Sequence, residues 1–291
     1  QDIFENLFNS NVVSNLPIGV CLQSIKNGST ESEYFHLFGD PALKIPMAKN
    51  IANNITTEAE TLKTLSIAEI IFGQDMLTNS ANGVILLKDA ERRVTRSYNI
   101  ASTEQTLSYN LPGATLFRGN FNFFEGNNSV NIRIPQDISY SQNSSKILIY
   151  LINEGSENIA EINPIYLVGG DEVMDSNGPI INFKSSNGRI FRVGDHKNDS
   201  ERVIVEISDP LGINLTKELG HSIIIKNLDN NESIDLTDNF LYDNNSITSG
   251  RIDLESYFKT DVNYSLTAWD NANNPSEQEI RLISNNNENL Q

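Results

Sequence analysis

One cysteine, Cys21, stands in a chain of 291 residues, and that scarcity excludes a good deal of chemistry. No internal disulfide can form and no thiolate metal cluster can be built. Tryptophan occurs once, as Trp269, and methionine three times. No apolar run approaches the ~20 residues that a membrane-crossing helix needs, so the chain reads as not membrane-spanning. Positive charge is also short: 21 Lys and Arg against 38 Asp and Glu give a formal net charge of −17. A phosphate backbone or an anionic lipid surface would repel such a chain, which excludes nucleic acid as an expected partner. His-Glu-x-x-His, a phosphate-cradling glycine loop and a Gly-x-Ser-x-Gly elbow are all missing. The opening Gln1-Asp2-Ile3-Phe4 carries neither an initiating Met nor a signal peptide, as expected of a mature protein, a processed piece or a fragment alike.

Asparagine, by contrast, is abundant and often paired, as at Asn53-Asn54, Asn127-Asn128 and Asn273-Asn274. Its side chain caps turns and it tolerates left-handed backbone, so this usage favours short turns between strands over long helices. Apolar residues at 38% suffice for cores built from strands that bury one face each.

Residues 1–47 have a pattern of their own. Ile3, Phe4, Leu7, Phe8 and Val12 recur at helical spacing. Pro17 then suits the first turn of a second helix lined by Ile18, Cys21, Leu22 and Ile25. The apolar run Tyr34-Phe35-His36-Leu37-Phe38 predicts a buried strand ending at Gly39-Asp40-Pro41. One strand and two helices have nothing to pack against, so this reads as the last unit of a larger α/β layer. From about residue 64 the period changes to two. Strands are expected around 67–72, 83–87, 120–124, 130–134, 146–152 and 162–168, then 180–183, 203–207, 222–226, 252–254 and 264–269. The polar, turn-forming stretch from Gly169 to Pro179 marks a boundary between two β-sandwiches, the second of immunoglobulin-like size, with Trp269 expected as a core anchor. The fold class is therefore mainly β: a helix–strand remnant over 1–47, sandwiches over 48–170 and 171–284, and a polar tail over 285–291.

Three stretches resemble the gingipain family of cysteine peptidases, and within it the sortase, the C-terminal signal peptidase of type IX secretion. The first is Leu16-Pro-Ile-Gly-Val-Cys-Leu-Gln-Ser-Ile-Lys26 followed by Tyr34-Phe-His-Leu-Phe-Gly-Asp-Pro-Ala-Leu43, which resembles the end of the caspase-like catalytic domain. The second runs from Phe117 to Lys146-Ile147 through Ile134-Pro135-Gln136-Asp137. The third is Asp175-Ser-Asn-Gly-Pro179, Asp209-Pro-Leu-Gly212-Ile-Asn214, Leu219-Gly-His221 and Ala268-Trp269-Asp270-Asn-Ala-Asn-Asn274, four motifs in order. The resemblance implies a bacterial cell-surface protein at the outer membrane, or alternatively a secreted protease. It implies as partners the chain's own catalytic domain, secreted cargo, and secretion-system proteins such as a β-barrel cargo shuttle. In that family a His in a His-Gly motif and a Cys after a core strand do the chemistry. Neither motif occurs here, so no catalytic residue is assigned. Cys21, mid-helix on an apolar face, lacks the base and exposure that make a thiolate.

Two further candidates come from residue chemistry. His221, after a glycine and near Asp209 and Asn214, is expected to brace buried backbone groups of the 212–214 turn, with a metal or pH-sensitive contact as the alternative. Asp270, Asn271 and Asn273 on one turn, and Asp243, Asn244 and Asn245 on another, offer the oxygen ligands Ca²⁺ takes. Neither turn fits an EF-hand: the residues after Asp270 lack its Gly and Glu. Ordinary turn chemistry, with no cofactor, is the expectation. Calcium on Asp270, Asn271 and Asn273, or at the junction through Asp171, Glu172 or Asp175, is the alternative.

Overall fold

The computed structural model describes residues 16–26, 39–44, 50–73, 81–100, 103–123, 128–153 and 156–285. The expected helix over 3–12, the strand over 34–38 with His36, and most of the tail lie outside them. The described chain is mainly β, and its elements gather into two compact units.

The smaller unit comprises residues 1–51 with 157–159. Its helix, Ile18–Lys26, begins directly after Pro17, whose fixed φ and missing N–H suit that position. The first helical N–H groups have no intrahelical partner. Two of them are taken by the turn around Gly39-Asp40-Pro41: Ile18 N donates to Leu43 O at 2.8 Å and Gly19 N to Pro41 O at 2.9 Å. A Cβ on Gly19 would lie 2.6 Å from Pro41 Cβ, so the glycine permits this approach. Asp40 Oδ1 accepts from Ala42 N and closes the turn. Cys21 is buried on this helix, its Sγ facing the Leu16 carbonyl.

The larger unit holds residues 52–156 and 160–291. Alternating burial builds its strands. In Val203–Ser208 the valines and Ile207 point inward while Ile204, Glu206 and Ser208 stay half-exposed. A three-stranded sheet (Ile55–Thr57, Ile67–Phe72, Ser129–Arg133) and a four-stranded sheet (Ser233–Asp235, Ile224–Asn227, Tyr264–Trp269, Pro275–Ile280) make the secondary layers of two sandwiches. The main layer is continuous through both: Ser145–Asn153, Ala81–Lys88, Thr115–Phe123, Leu241–Tyr242, Ser249–Asp253, Val203–Ser208 and Ile180–Ser185 follow one another in one sheet. One apolar cluster runs from Ile55 to Leu282 beneath it. The polar stretch 169–179 contains no strand until Ile180, yet the sheet bridges it elsewhere.

The bridge is the two-residue strand Leu241–Tyr242. It pairs in parallel with Thr115–Phe123 at Tyr242↔Gly119 and antiparallel with Ser249–Asp253. Gly119 admits this contact: a Cβ there would sit 2.7 Å from the Phe117 ring and 3.1 Å from Tyr242 Cβ. Phe117 and Tyr242 stack face to face with centroids 4.6 Å apart.

Two features depart from the sequence reading. Arg92–Ile100 and Thr103–Leu111 form a long two-stranded ribbon where no strand was expected. Trp269 is not a core anchor: it is half-buried and absent from the apolar cluster. Tyr264, Leu266 and Ala268 hold the inward parity of that strand, so Trp269 falls on the other face, where its ring meets His221 at 4.4 Å.

Candidate functional site

The four short motifs of the second sandwich, far apart in sequence, converge at one end of the seam between the sandwiches. Asp209 shapes the first turn by accepting Leu211 N on its carboxylate at 2.7 Å and Gly212 N on its carbonyl at 3.0 Å. Gly212 has φ +82°, and a Cβ on it would lie 2.7 Å from Tyr242 Oη and 2.8 Å from Asn271 Nδ2. Glycine is required there on both counts. Ile213 bridges Asp270, and Asn214 N donates to Trp269 O at 2.9 Å. At the other end of the same set, Gly178 lies directly against the Pro275 carbonyl.

Asp137, from the first sandwich, is the hub. Its Oδ2 accepts from His221 Nδ1 at 2.5 Å and from Asn214 Nδ2 at 3.0 Å, while Oδ1 accepts from Asn273 Nδ2 at 2.7 Å. Both the Asp137 and His221 side chains are about nine-tenths buried. Asn214 Nδ2 also meets Asn273 Oδ1 at 2.9 Å, and Asn214 Oδ1 accepts from Thr216 N and Oγ1. The partner of His221 is therefore a carboxylate across the seam, and not the backbone of the 212–214 turn. Further bonds cross nearby. Gln136 N donates to Asn271 O, Arg133 Nη2 to Pro210 O, and Arg118 Nη2 to Thr237 O. Asn245 pairs with the Asn122 backbone through both its Nδ2 and its Oδ1. Asp137 was legible only as part of a motif, because nothing in the sequence links it to a His 84 positions away.

In the 270–274 turn most side-chain polar atoms have protein partners, while Asn271 Oδ1 is buried without a hydrogen bond. Asn273 is turned to Asp137 and Asn214, and Asn271 Nδ2 donates to Leu211 O. Asp270 caps its own turn, with Oδ1 accepting from Ala272 N and Asn274 N and Oδ2 from Asn274 Nδ2. Asp243 is engaged by Arg251 Nε and Ser249 Oγ. The structure instead groups Asp270 with Asp175 and Asp209, one carboxylate oxygen of each lying within 4.8 Å of the others. Asp209 and Asp270 are buried. Burial, and after it the charges of Asp270 and Asp175, push Asp209 up to about 6 against the opposing pull of the Leu211 N–H. Burial likewise raises Asp270.

Beside the hub a cleft of ≈ 680 Å³ is lined by Asp137, Thr216 and Asn273, with Arg92, Tyr140 and Leu219 among its other walls. Tyr140 and Leu219 both have left-handed backbone, φ 48° and 52°, and the two residues are 64% and 87% exposed.

No family model matches the chain, and no curated protein does. Among solved structures it is similar to the crystal structure of dimeric latent PorU from Porphyromonas gingivalis, at 20% identity and a TM-score of 0.44, over 93% of this chain. The chain spans 28% of the PorU chain in that structure.

Proposed function

We propose that this chain is a non-catalytic C-terminal part of a cell-surface gingipain-family cysteine endopeptidase, of the PorU-like type that removes the C-terminal signal of type IX cargo and attaches the cargo to the surface. Its two sandwiches act as a stiff stalk that carries the catalytic part and docks it to outer-membrane secretion proteins. The observation that supports the stalk is the seam. A continuous sheet, one shared apolar cluster and a nine-tenths buried hydrogen-bonded hub leave the sandwiches no free hinge, unlike the small polar interfaces that permit domain motion. The peptidase parentage rests on the order of the motifs, and their convergence in space gives those residues a common structural task.

The purified chain is expected to show no peptidase activity on unstructured substrates, before or after alkylation of unfolded protein at Cys21. Cleavage abolished by alkylating Cys21 would sink the reading. In the parent enzyme, deleting residues 52–285 is expected to spare hydrolysis of a small soluble substrate and to abolish processing of cargo at the surface. Equal loss of both would argue against a stalk.

The Asp175–Asp209–Asp270 cluster favours one alternative, a calcium-dependent binding module, and Asp209→Asn separates the two. A carboxyl group raised from 3.8 to about 6 binds more protons folded than unfolded, so it weakens stability as pH rises from about 4 to 6. Without a cation the neutral variant should therefore be more stable at pH 7, by up to about 3 kcal/mol, and the gain should vanish below pH 4. If Ca²⁺ is held there, Asp209→Asn should destabilise, and EDTA should lower the melting temperature of the unsubstituted chain.

A further inference from the structure

The ribbon Arg92–Ile100/Thr103–Leu111 is the one sheet among the described residues whose every strand is exposed over most of its length. It pairs with no third strand. Two-stranded hairpins are marginal in water unless a face is covered, and this one is amphipathic. The register sets Val94 opposite Tyr109 and Arg96 opposite Leu107 on one face, continued by Tyr98 and Ile100. The reverse face is polar, with Thr95 Oγ1 and Ser108 Oγ 2.9 Å apart. Tyr98, Ile100, Leu107 and Tyr109 are 36–58% exposed. Such an apolar row with unpaired strand edges is a template for a further strand. Nine residues per strand give it a reach of roughly 30 Å.

Charge selects the occupant. In a chain of net charge −17, the ribbon carries Arg92, Arg93 and Arg96 against a single acid, Glu104. Arg92 and Arg96 share the apolar face by strand parity, and at the ribbon's root Arg92 also lines the cleft with Tyr140 and Leu219. The ribbon's unpaired edge is completed by backbone N–H and C=O groups, which a lipid surface does not present. Packing two ribbons face to face would set arginine against arginine, which disfavours a second copy in that mode. We propose that the ribbon is a docking site for an extended polypeptide segment that adds as a third strand beside Arg92–Ile100. Every second residue of the segment shares the apolar face, with acids at Arg92 and Arg96 and aliphatics at Val94, Tyr98 and Ile100. Backbone pairing would supply affinity, and the arginines selectivity. The proposal goes beyond the peptidase reading and holds or fails independently of it.

The full chain is titrated, by fluorescence polarisation, with a labelled nonapeptide whose odd positions read Glu, Val, Glu, Val, Val and whose even positions are Thr, and with its reversed sequence for the antiparallel pairing. Saturable binding is expected, weakened at least tenfold by Arg96→Glu, by Leu107→Asp, by 0.5 M salt, and by N-methylation of alternate peptide bonds. An unchanged melting temperature shows that the variants fold, since these side chains are exposed. The peptide's Val–Lys counterpart, with Lys in place of each Glu, should not bind. The proposal is overturned by equal binding of the Val–Lys peptide, by no binding of either, or by insensitivity to N-methylation. Arg96-dependent binding to phosphatidylglycerol vesicles without peptide binding overturns it in favour of a lipid surface. Arg96-dependent self-association in sedimentation overturns it in favour of a second copy.

Discussion

Replacing Tyr242 by alanine is expected to cost about 5 kcal/mol of folding stability. Tyr242 is fully buried, stacked on Phe117 and edge-on to Phe240 at 5.1 Å, so truncation opens a cavity at the centre of the seam. Its hydroxyl donates to Ile213 O at 3.0 Å and accepts from Ile213 N. Removing it leaves a buried backbone N–H and C=O without that partner. Tyr242→Phe isolates the second effect and should cost about 1–2 kcal/mol. Burial holds the phenol well above its usual range, so it stays neutral and the penalty should not change between pH 6 and 9. Thermal unfolding followed by circular dichroism checks this: roughly 10–20 °C is expected for the alanine variant, given about 2–4 °C per kcal/mol for a unit of this size. The number of transitions carries the structural point. A shared sheet and core should melt as one unit; loss of the second sandwich alone, with the first unchanged, would show that they fold separately.

How much of this was legible beforehand depends on the residue. Strands such as 203–207 and 264–269 were readable because one face is buried and the period of two is clean. Trp269 was misplaced by size: large aromatics usually anchor cores, but counting parity from Leu266 and Ala268 puts it on the opposite face, where His221 supplies a partner. The ribbon was invisible because its apolar positions are interrupted by Arg96 and Gln105, and a strand that buries nothing gives no burial pattern to read. Leu241–Tyr242 is too short for periodicity, although it joins the two halves of the main sheet. The acidic cluster shows the same limit. Asp175, Asp209 and Asp270 were each visible as turn residues, and only the fold shows that three turns present their carboxylates to one another.

The same limit applies to Asp137, whose role exists only in three dimensions, and its removal is the sharpest test of the seam. Asp137→Ala would leave His221 Nδ1, Asn214 Nδ2 and Asn273 Nδ2 without their shared acceptor in a nearly closed site. Leaving a buried donor without its acceptor costs about 1–3 kcal/mol apiece, and about 4 kcal/mol is expected here, read from urea unfolding. His221→Ala should cost less, about 1–2 kcal/mol, because the carboxylate keeps both asparagines and only the tilted ring contact with Trp269 and one hydrogen bond are lost. The pair of substitutions should then be less than additive by about 1 kcal/mol or more, since the second removes a partner already gone. Asp137→Asn is the conservative control: it keeps one acceptor oxygen but turns an N–H group toward donors, so it should fall between the alanine variant and the unsubstituted chain. A cost below about 0.5 kcal/mol for Asp137→Ala would mean that the sheet pairing at Tyr242 and Gly119 holds the sandwiches by itself. The stalk would then owe its stiffness to the backbone and not to the hub, and the motif residues would need another reason for converging on one carboxylate.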